Sequence, residues 1–307
     1  MRRQRAGAGA PTIAPRHVLA ALLAAGVTAG LGGPAEARSV NGLIAYSKET
    51  SNCDLIACEA HVWTRRPDGT GRRRLPCSAD ECTDLHPIWS PRGAFLATGT
   101  DGITDGLADG APREVIAIRD VRGRILRRIP VTNRPVLDLA WSGDGERLAY
   151  NSYGKIYIVR RDGTNSRLYR RTGGVSVAWS RTGRMAWSNR NGTLVVTDRS
   201  RKRVRRLGFG ATRPRWSPDS RWLAYKATRR GEIVVEVSRA NGAGRRSLTR
   251  RCDDDEGSVA WSPDGRQILC STLEGRLLAV GVRSGRVRIV ARGVFARQFD
   301  WRRAPNR

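Results

Sequence analysis

One phrase recurs along this chain, and no other feature of it limits the possible folds so tightly. Its fullest form is Trp261-Ser262-Pro263-Asp264-Gly265, leading into Gln267-Ile268-Leu269-Cys270. Copies start at Trp89, Trp141, Trp179 and Trp216, and each leads into a short apolar run such as Phe95-Leu96-Ala97 or Leu148-Ala149-Tyr150. A sixth tryptophan, Trp301, is followed by Ala304-Pro305, and the run expected after it stands at the other end of the chain as Leu43-Ile44-Ala45-Tyr46. The six tryptophans are 52, 38, 37, 45 and 40 residues apart. Spacings near 40–45 residues with four strand-like segments in each are the mark of propeller blades.

Residues 137–170 illustrate one period. Leu137 to Trp141, Arg147 to Tyr150, Ile156 to Arg160 and Ser166 to Tyr169 read as strands, and Ser142 to Gly145 and Asp162-Gly163 as turns. Asp68-Gly69, Asn241-Gly242 and Ser284-Gly285 occupy the same place in other periods. Such pairs supply the positive φ that tight hairpins need, and Pro after Trp-Ser presets φ for a turn. The expected fold is all-β: a six-bladed β-propeller of four-stranded blades, closed by pairing the N-terminal with the C-terminal strand. Closure removes the sheet edges that an open array would expose. The tryptophans are expected between blades, where a buried indole removes about 150–250 Å² from water, about 4–6 kcal/mol of gross burial. They read as packing residues, neither catalytic nor ligand-stacking.

Residues 1–37 place Arg2, Arg3, Arg5 and Arg16 before an Ala/Leu/Val/Gly run from His17 to Gly33, then Pro34-Ala35-Glu36-Ala37. That is the layout of a secretory signal peptide, with residues 38–307 as the mature propeller. No later apolar stretch is long enough to span a bilayer. The expected location is therefore outside the cytoplasm, secreted or in the cell envelope, as a monomer. Net charge is +28, and all but four of the 56 basic residues are Arg, a bias typical of high-GC, actinobacterial genomes. The arginine clusters, such as Arg72-Arg73-Arg74, Arg127-Arg128 and Arg205-Arg206, fall on or beside the fourth strands. There they protect sheet edges or offer an anionic polymer a basic rim. No aromatics alternate with them, which argues against sequence-specific nucleic-acid binding.

The block Trp-Ser-Pro-Asp-Gly-x-x-Leu-Ala-Tyr, followed by Ile156-Tyr157-Ile158-Val159 and Asp162-Gly163-Thr164-Asn165, resembles the WD-like propeller repeat of the TolB-like family. The resemblance covers residues 39–307 and implies a six-bladed TolB-like propeller, here without the α/β domain that precedes the propeller in TolB.

If the inner strands run away from the top face, as in such propellers, the Trp-Ser turns lie at the bottom. The loops joining second to third strands, and each blade to the next, then lie on top. This puts Cys53, Cys58, Cys77, Cys82, Cys252 and Cys270 on one face. An even number of cysteines in an exported chain points to disulfides, although Cys-x4-Cys…Cys-x4-Cys also fits a zinc site. Cys252 and Cys270 flank one inner hairpin and are expected to pair. The same face collects 14 of the 28 carboxylates. Among them, Asp80, Glu81, Asp84, Asp138, Asp253, Asp254 and Asp255, with His86, are the candidate ligand-binding residues. Asp101, Asp105 and Asp109, each followed by Gly, are a candidate calcium site, although Asp-Gly also simply forms turns; no other cofactor is indicated.

Catalysis finds little support. The histidines after the leader are His61 and His86, no Gly-x-Ser-x-Gly elbow occurs, and His86 with Asp84 is the sole acid–base pair. The reading is an exported, non-catalytic binding module for a protein, peptide or glycan. A propeller lyase or hydrolase, or a polyanion-binding rim, remains open.

Overall fold

The computed structural model describes residues 41–49, 60–77, 84–100, 114–131 and 135–304, apart from residues 201, 203, 209, 256 and 297. They belong to the compact unit of residues 39–307. The expected leader, residues 1–37, lies outside the described residues.

Twenty-four strands form six four-stranded antiparallel sheets among these residues. The closing blade contains β1 (Asn41–Glu49), β2 (Ala60–Arg65) and β3 (Arg73–Arg74). The first full blade is β4 (Asp84–Trp89), β5 (Leu96–Thr100), β6 (Val115–Arg119) and β7 (Ile125–Pro130). The second is β8 (Asp138–Trp141), β9 (Arg147–Ser152), β10 (Lys155–Arg160) and β11 (Arg167–Arg171), within two residues of the sequence reading at each boundary. The third is β12 (Ala178–Trp179), β13 (Met185–Ser188), β14 (Leu194–Thr197) and β15 (Val204–Arg206). The fourth is β16 (Ala211–Trp216), β17 (Trp222–Arg229), β18 (Glu232–Arg239) and β19 (Arg246–Thr249). The fifth is β20 (Val259–Trp261), β21 (Gln267–Ser271), β22 (Leu277–Gly281) and β23 (Val287–Ala291). Strand β24 (Phe299–Arg303) then pairs with β1, Trp301 opposite Ile44 and Phe299 opposite Tyr46, so the two ends of the chain share one sheet.

The recurring phrase is a turn lock. Ser90, Ser142, Ser217 and Ser262 each accept at Oγ the amide of the residue five positions on, at 2.8–3.0 Å. Three of those hydroxyls donate in turn to the carboxylate two residues on, in Asp144, Asp219 and Asp264, at 2.5–2.6 Å. Gly265 then takes a φ of +70°, and Ser220, standing where the other copies have glycine, is held at +59°. That conformation costs a side-chain-bearing residue energy.

Strand periodicity distributes the core. Successive side chains point to opposite faces of a sheet, so each blade feeds two contacts. In β9, Leu148 and Tyr150 pack toward the first blade while Ala149 packs toward the third. The buried hydrophobics form six clusters, one at each blade-to-blade contact, and each holds one motif tryptophan on the side of the preceding blade. The indole N–H groups of Trp141 and Trp261 donate to the preceding inner strands, at Ile88 O (3.1 Å) and Arg215 O (3.0 Å). The tryptophans thus staple blades together, as their spacing implied. The outer strands β3, β11, β15 and β19 are exposed or half-buried throughout, and β3, β11 and β15 carry Arg at most positions.

Candidate functional site

The inner strands surround a central channel. Three residues before each motif tryptophan stands a polar residue: His86, Asp138, Ser176, Arg213, Ser258 and Gln298. Four of these, His86, Asp138, Ser258 and Gln298, line a small cavity of about 10 Å³ together with Arg215 and Asp300, room for roughly one water. A bidentate ion pair closes it. Arg215 of the fourth blade donates to both carboxylate oxygens of Asp138 in the second, at 2.7 and 3.0 Å, passing the inner strand of the third. Asp138 also accepts the Val177 amide at 2.9 Å.

Two of the six inner strands are bulged by proline. In His86-Pro87-Ile88-Trp89 and Arg213-Pro214-Arg215-Trp216 the pairing register shifts, and His86 and Arg213 adopt φ of +54° and +50°. Proline has no N–H to give to the ladder, so a strand that carries it is pushed into a bulge. The bulge separates Asp84 from His86, which a regular strand would place on one face. The two side chains, the sole acid–base combination the sequence offered, are thus held apart. His86 enters the channel, where burial holds its imidazole down at about 3, with Asp138 opposing and Arg213 and Arg215 adding to the shift. It is therefore neutral at physiological pH. Its backbone N–H donates to Gln298 Oε1 at 2.8 Å, while its Nδ1 and the Ser258 hydroxyl are buried without a partner. Asp300 accepts the Trp89 amide at 2.8 Å, and burial raises its carboxyl to about 6 against those hydrogen bonds and the Arg215 charge.

Asp84 is not at a loop mouth. It is buried in the first blade against the equally buried Arg119, Nη2 to Oδ2 2.6 Å, and Arg119 also donates to the carbonyls of Pro76 (2.6 Å) and Gly123 (3.0 Å). Its carboxylate is committed to that pair, so it serves the interior of the blade.

On the loop face, Cys252 and Cys270 are joined as expected, Cα atoms 5.7 Å apart and both side chains fully buried. The bond pins the acidic loop that follows. Asp254 is buried and accepts the Gly257 amide (3.0 Å) and the Ser271 hydroxyl (2.6 Å). Asp253 accepts the Leu273 amide at 2.9 Å, and its side chain and that of Asp255 stay exposed. Beneath them the buried Lys226 ammonium donates to Asp254 O; burial lowers it to about 8, with Asp254 holding it up. Cys77 is disulfide-bonded, and its sulfur lies 3.5 Å from His61 Nδ1, so it is not available as a zinc thiolate. Cys53, Cys58, Cys82, Asp80, Glu81, Asp101, Asp105 and Asp109 lie outside the described residues. Among the described residues no group of His, Cys, Asp or Glu is placed to hold a metal, and no helix is long and apolar enough to cross a membrane.

The sequence reading missed the apolar side chains of this face. Tyr153 (71% exposed), Leu273 (64%), Phe295 (60%) and Val175 (47%) all stand on loop-face connections, and no other large hydrophobic among the described residues exceeds 43%. Tyr153 sits in a two-residue turn with Gly154, and Leu273 in the five-residue turn that contains Glu274-Gly275, where a turn leaves no core to enter. Phe295 lies over Gly275, where a Cβ would be 2.9 Å from its ring. The available signal was a large hydrophobic residue inside a turn.

These features define a closed, disulfide-pinned propeller with an ion pair across its channel and a partly apolar loop face. A scan of family models gave no match to the chain, and a search of curated proteins gave none. Among solved structures, TolB from Acinetobacter baumannii is similar at a TM-score of 0.68 and 19% identity, over 86% of this chain and 67% of that one. A protein assigned as TolB in Agrobacterium tumefaciens is similar at 0.56 and 15%, over 87% and 99%. A chain of a nidogen/laminin complex is similar at 0.61 and 10%, over 86% and 100%. At these identities the likeness establishes the fold: a six-bladed β-propeller resembling TolB.

Proposed function

We propose that this protein is an exported, non-catalytic binding module whose loop face docks a polypeptide. The observation that carries the reading is that the four most exposed large hydrophobic side chains among the described residues all stand on that face. Exposed hydrophobics gathered beside polar groups mark interaction surfaces. Leu273 stands beside the exposed Asp253, whose carboxylate accepts its amide, and Phe295 lies over the same turn, a combination suited to an apolar anchor flanked by basic residues. Leu273 and Val175 offer a sugar's hydroxyls nothing to bond, which favours polypeptide over glycan. The side chains of His86, Asp138 and Gln298 line the channel cavity, so these residues hold the ring rather than meet the partner. The layout of residues 1–37 supports export, and the nidogen/laminin neighbour is itself a chain of a protein complex.

The test compares the wild-type protein with Leu273→Ser/Phe295→Ser and with an outer-strand control, Leu126→Ser, in capturing partners from the envelope fraction of the producing cells. A polypeptide retained by wild type and control but lost by the loop-face variant is the expected result. Equal recovery by all three removes the proposal.

A further inference from the structure

We infer that the lower end of the channel is a binding pocket for a small organic anion, its charged head between Arg181 and Arg303 and a compact apolar body against the tryptophans. Below the Asp138–Arg215 closure the channel opens into a chamber of about 150 Å³, lined by all six motif tryptophans. That volume equals the cavity that admits a benzene ring in a protein interior. Arg215 and Asp300 border both this chamber and the small cavity above it, and the chamber's other end lies among the Trp-Ser turns.

Two residues after each tryptophan comes a residue at that end. In four blades it is a turn former: Pro91, Gly143, Pro218 and Pro263. In the third blade it is Arg181 and in the closing blade Arg303, which the ring order sets opposite one another. Arginine contributes nothing to such a turn, and the chain compensates: the Arg181 amide donates to Ser220 Oγ at 3.1 Å. The Arg181 guanidinium reaches across that end and donates from Nη2 to Pro91 O of the first blade at 2.8 Å. One of its five N–H donors is used there. Neither arginine has a carboxylate partner among the described residues. Arg181 feels Arg303: burial and the Arg303 charge both hold its guanidinium below the ordinary range. Two mutually repelling cations at the rim of an apolar chamber, with the carboxyl of Asp300 at its inner end, set a field along the axis. An anion is drawn to the rim and excluded from the floor, which orients the ligand head outward.

Six of the nine tryptophans line the chamber, so intrinsic fluorescence reads its occupancy. Titration of the full chain with benzoate is expected to give a saturable change, with inorganic phosphate, benzyl alcohol and benzylammonium giving none. Arg181→Gln/Arg303→Gln should weaken benzoate at least tenfold, as expected for lost charge-assisted hydrogen bonds. Arg303→Gln alone, at a side chain without a hydrogen bond among the described residues, should weaken it while leaving the melting temperature unchanged. Undiminished benzoate binding by both variants would overturn the inference. So would benzylammonium or benzyl alcohol binding as tightly as benzoate, or no saturable response to benzoate at all.

Discussion

Replacing Asp84 by Asn separates a structural from a ligand-binding role for that residue. The change keeps the shape of the side chain and removes its charge. It leaves the Arg119 guanidinium fully buried, with neutral carbonyl partners at Pro76 and Gly123 and no counter-charge 2.6 Å away. Burial already lowers Arg119, and Asp84 is the charge that opposes the shift. Removing one partner of a buried ion pair costs about 3–5 kcal/mol. For a domain of this size each kcal/mol moves Tm by about 2–4 °C, so Asp84→Asn should melt about 6–20 °C below wild type. Thermal and urea unfolding at pH 7, followed by circular dichroism, measure both quantities. Asp84→Leu/Arg119→Met, which removes both charges, should recover much of the loss. A single variant within about 1 kcal/mol of wild type, or a double variant as unstable as the sum of the singles, would refute the reasoning. Loss of partner capture at unchanged stability would return Asp84 to the binding surface.

Asp300 gives a pH dependence. Its folded carboxyl lies at about 6, above its ordinary 3.8, so the stabilisation from holding the proton is complete below pH 3.8 and is lost as pH rises through 6. The gap corresponds to about 3 kcal/mol. Asp300→Asn should therefore unfold at higher urea than wild type at pH 8, by about 2–3 kcal/mol, and at nearly the same urea at pH 4; no difference at pH 8 refutes it. Cys252→Ala/Cys270→Ala opens an 18-residue loop and should lose about 3 kcal/mol, and a loss below about 1 kcal/mol by denaturant titration would contradict the pinning of the acidic loop. Deleting residues 39–47 removes β1 from the closing blade, separating β24 from β2, and should destabilise the whole ring; a truncated protein with an unchanged melting curve counts against closure.

The amino-acid sequence by itself determined the blades. Trp-Ser-x-Asp-Gly encodes a turn through contacts spanning five residues, and alternation of apolar residues encodes strands with two buried faces. Those signals are local, so six repeats and their closure could be read directly, and so could the pairing of Cys252 with Cys270 across a single hairpin. What lay between blades was legible only in the folded ring. Asp138 finds Arg215 across 77 residues, Arg119 lies 35 residues from Asp84, and Arg181 meets the carbonyl of Pro91 across 90. Each of these partners is selected by where a blade stands around the channel. No periodicity records that angle. The proline bulge shows the same limit: His86 and Asp84 share a face in any regular strand, and only the register shift of the paired sheet parts them. Charge on the loops suggested an acidic mouth. Tertiary structure divided the described ones among those carboxylates by burial, because a carboxylate inside a low-dielectric blade must take a fixed partner while one on a turn remains free to meet another molecule.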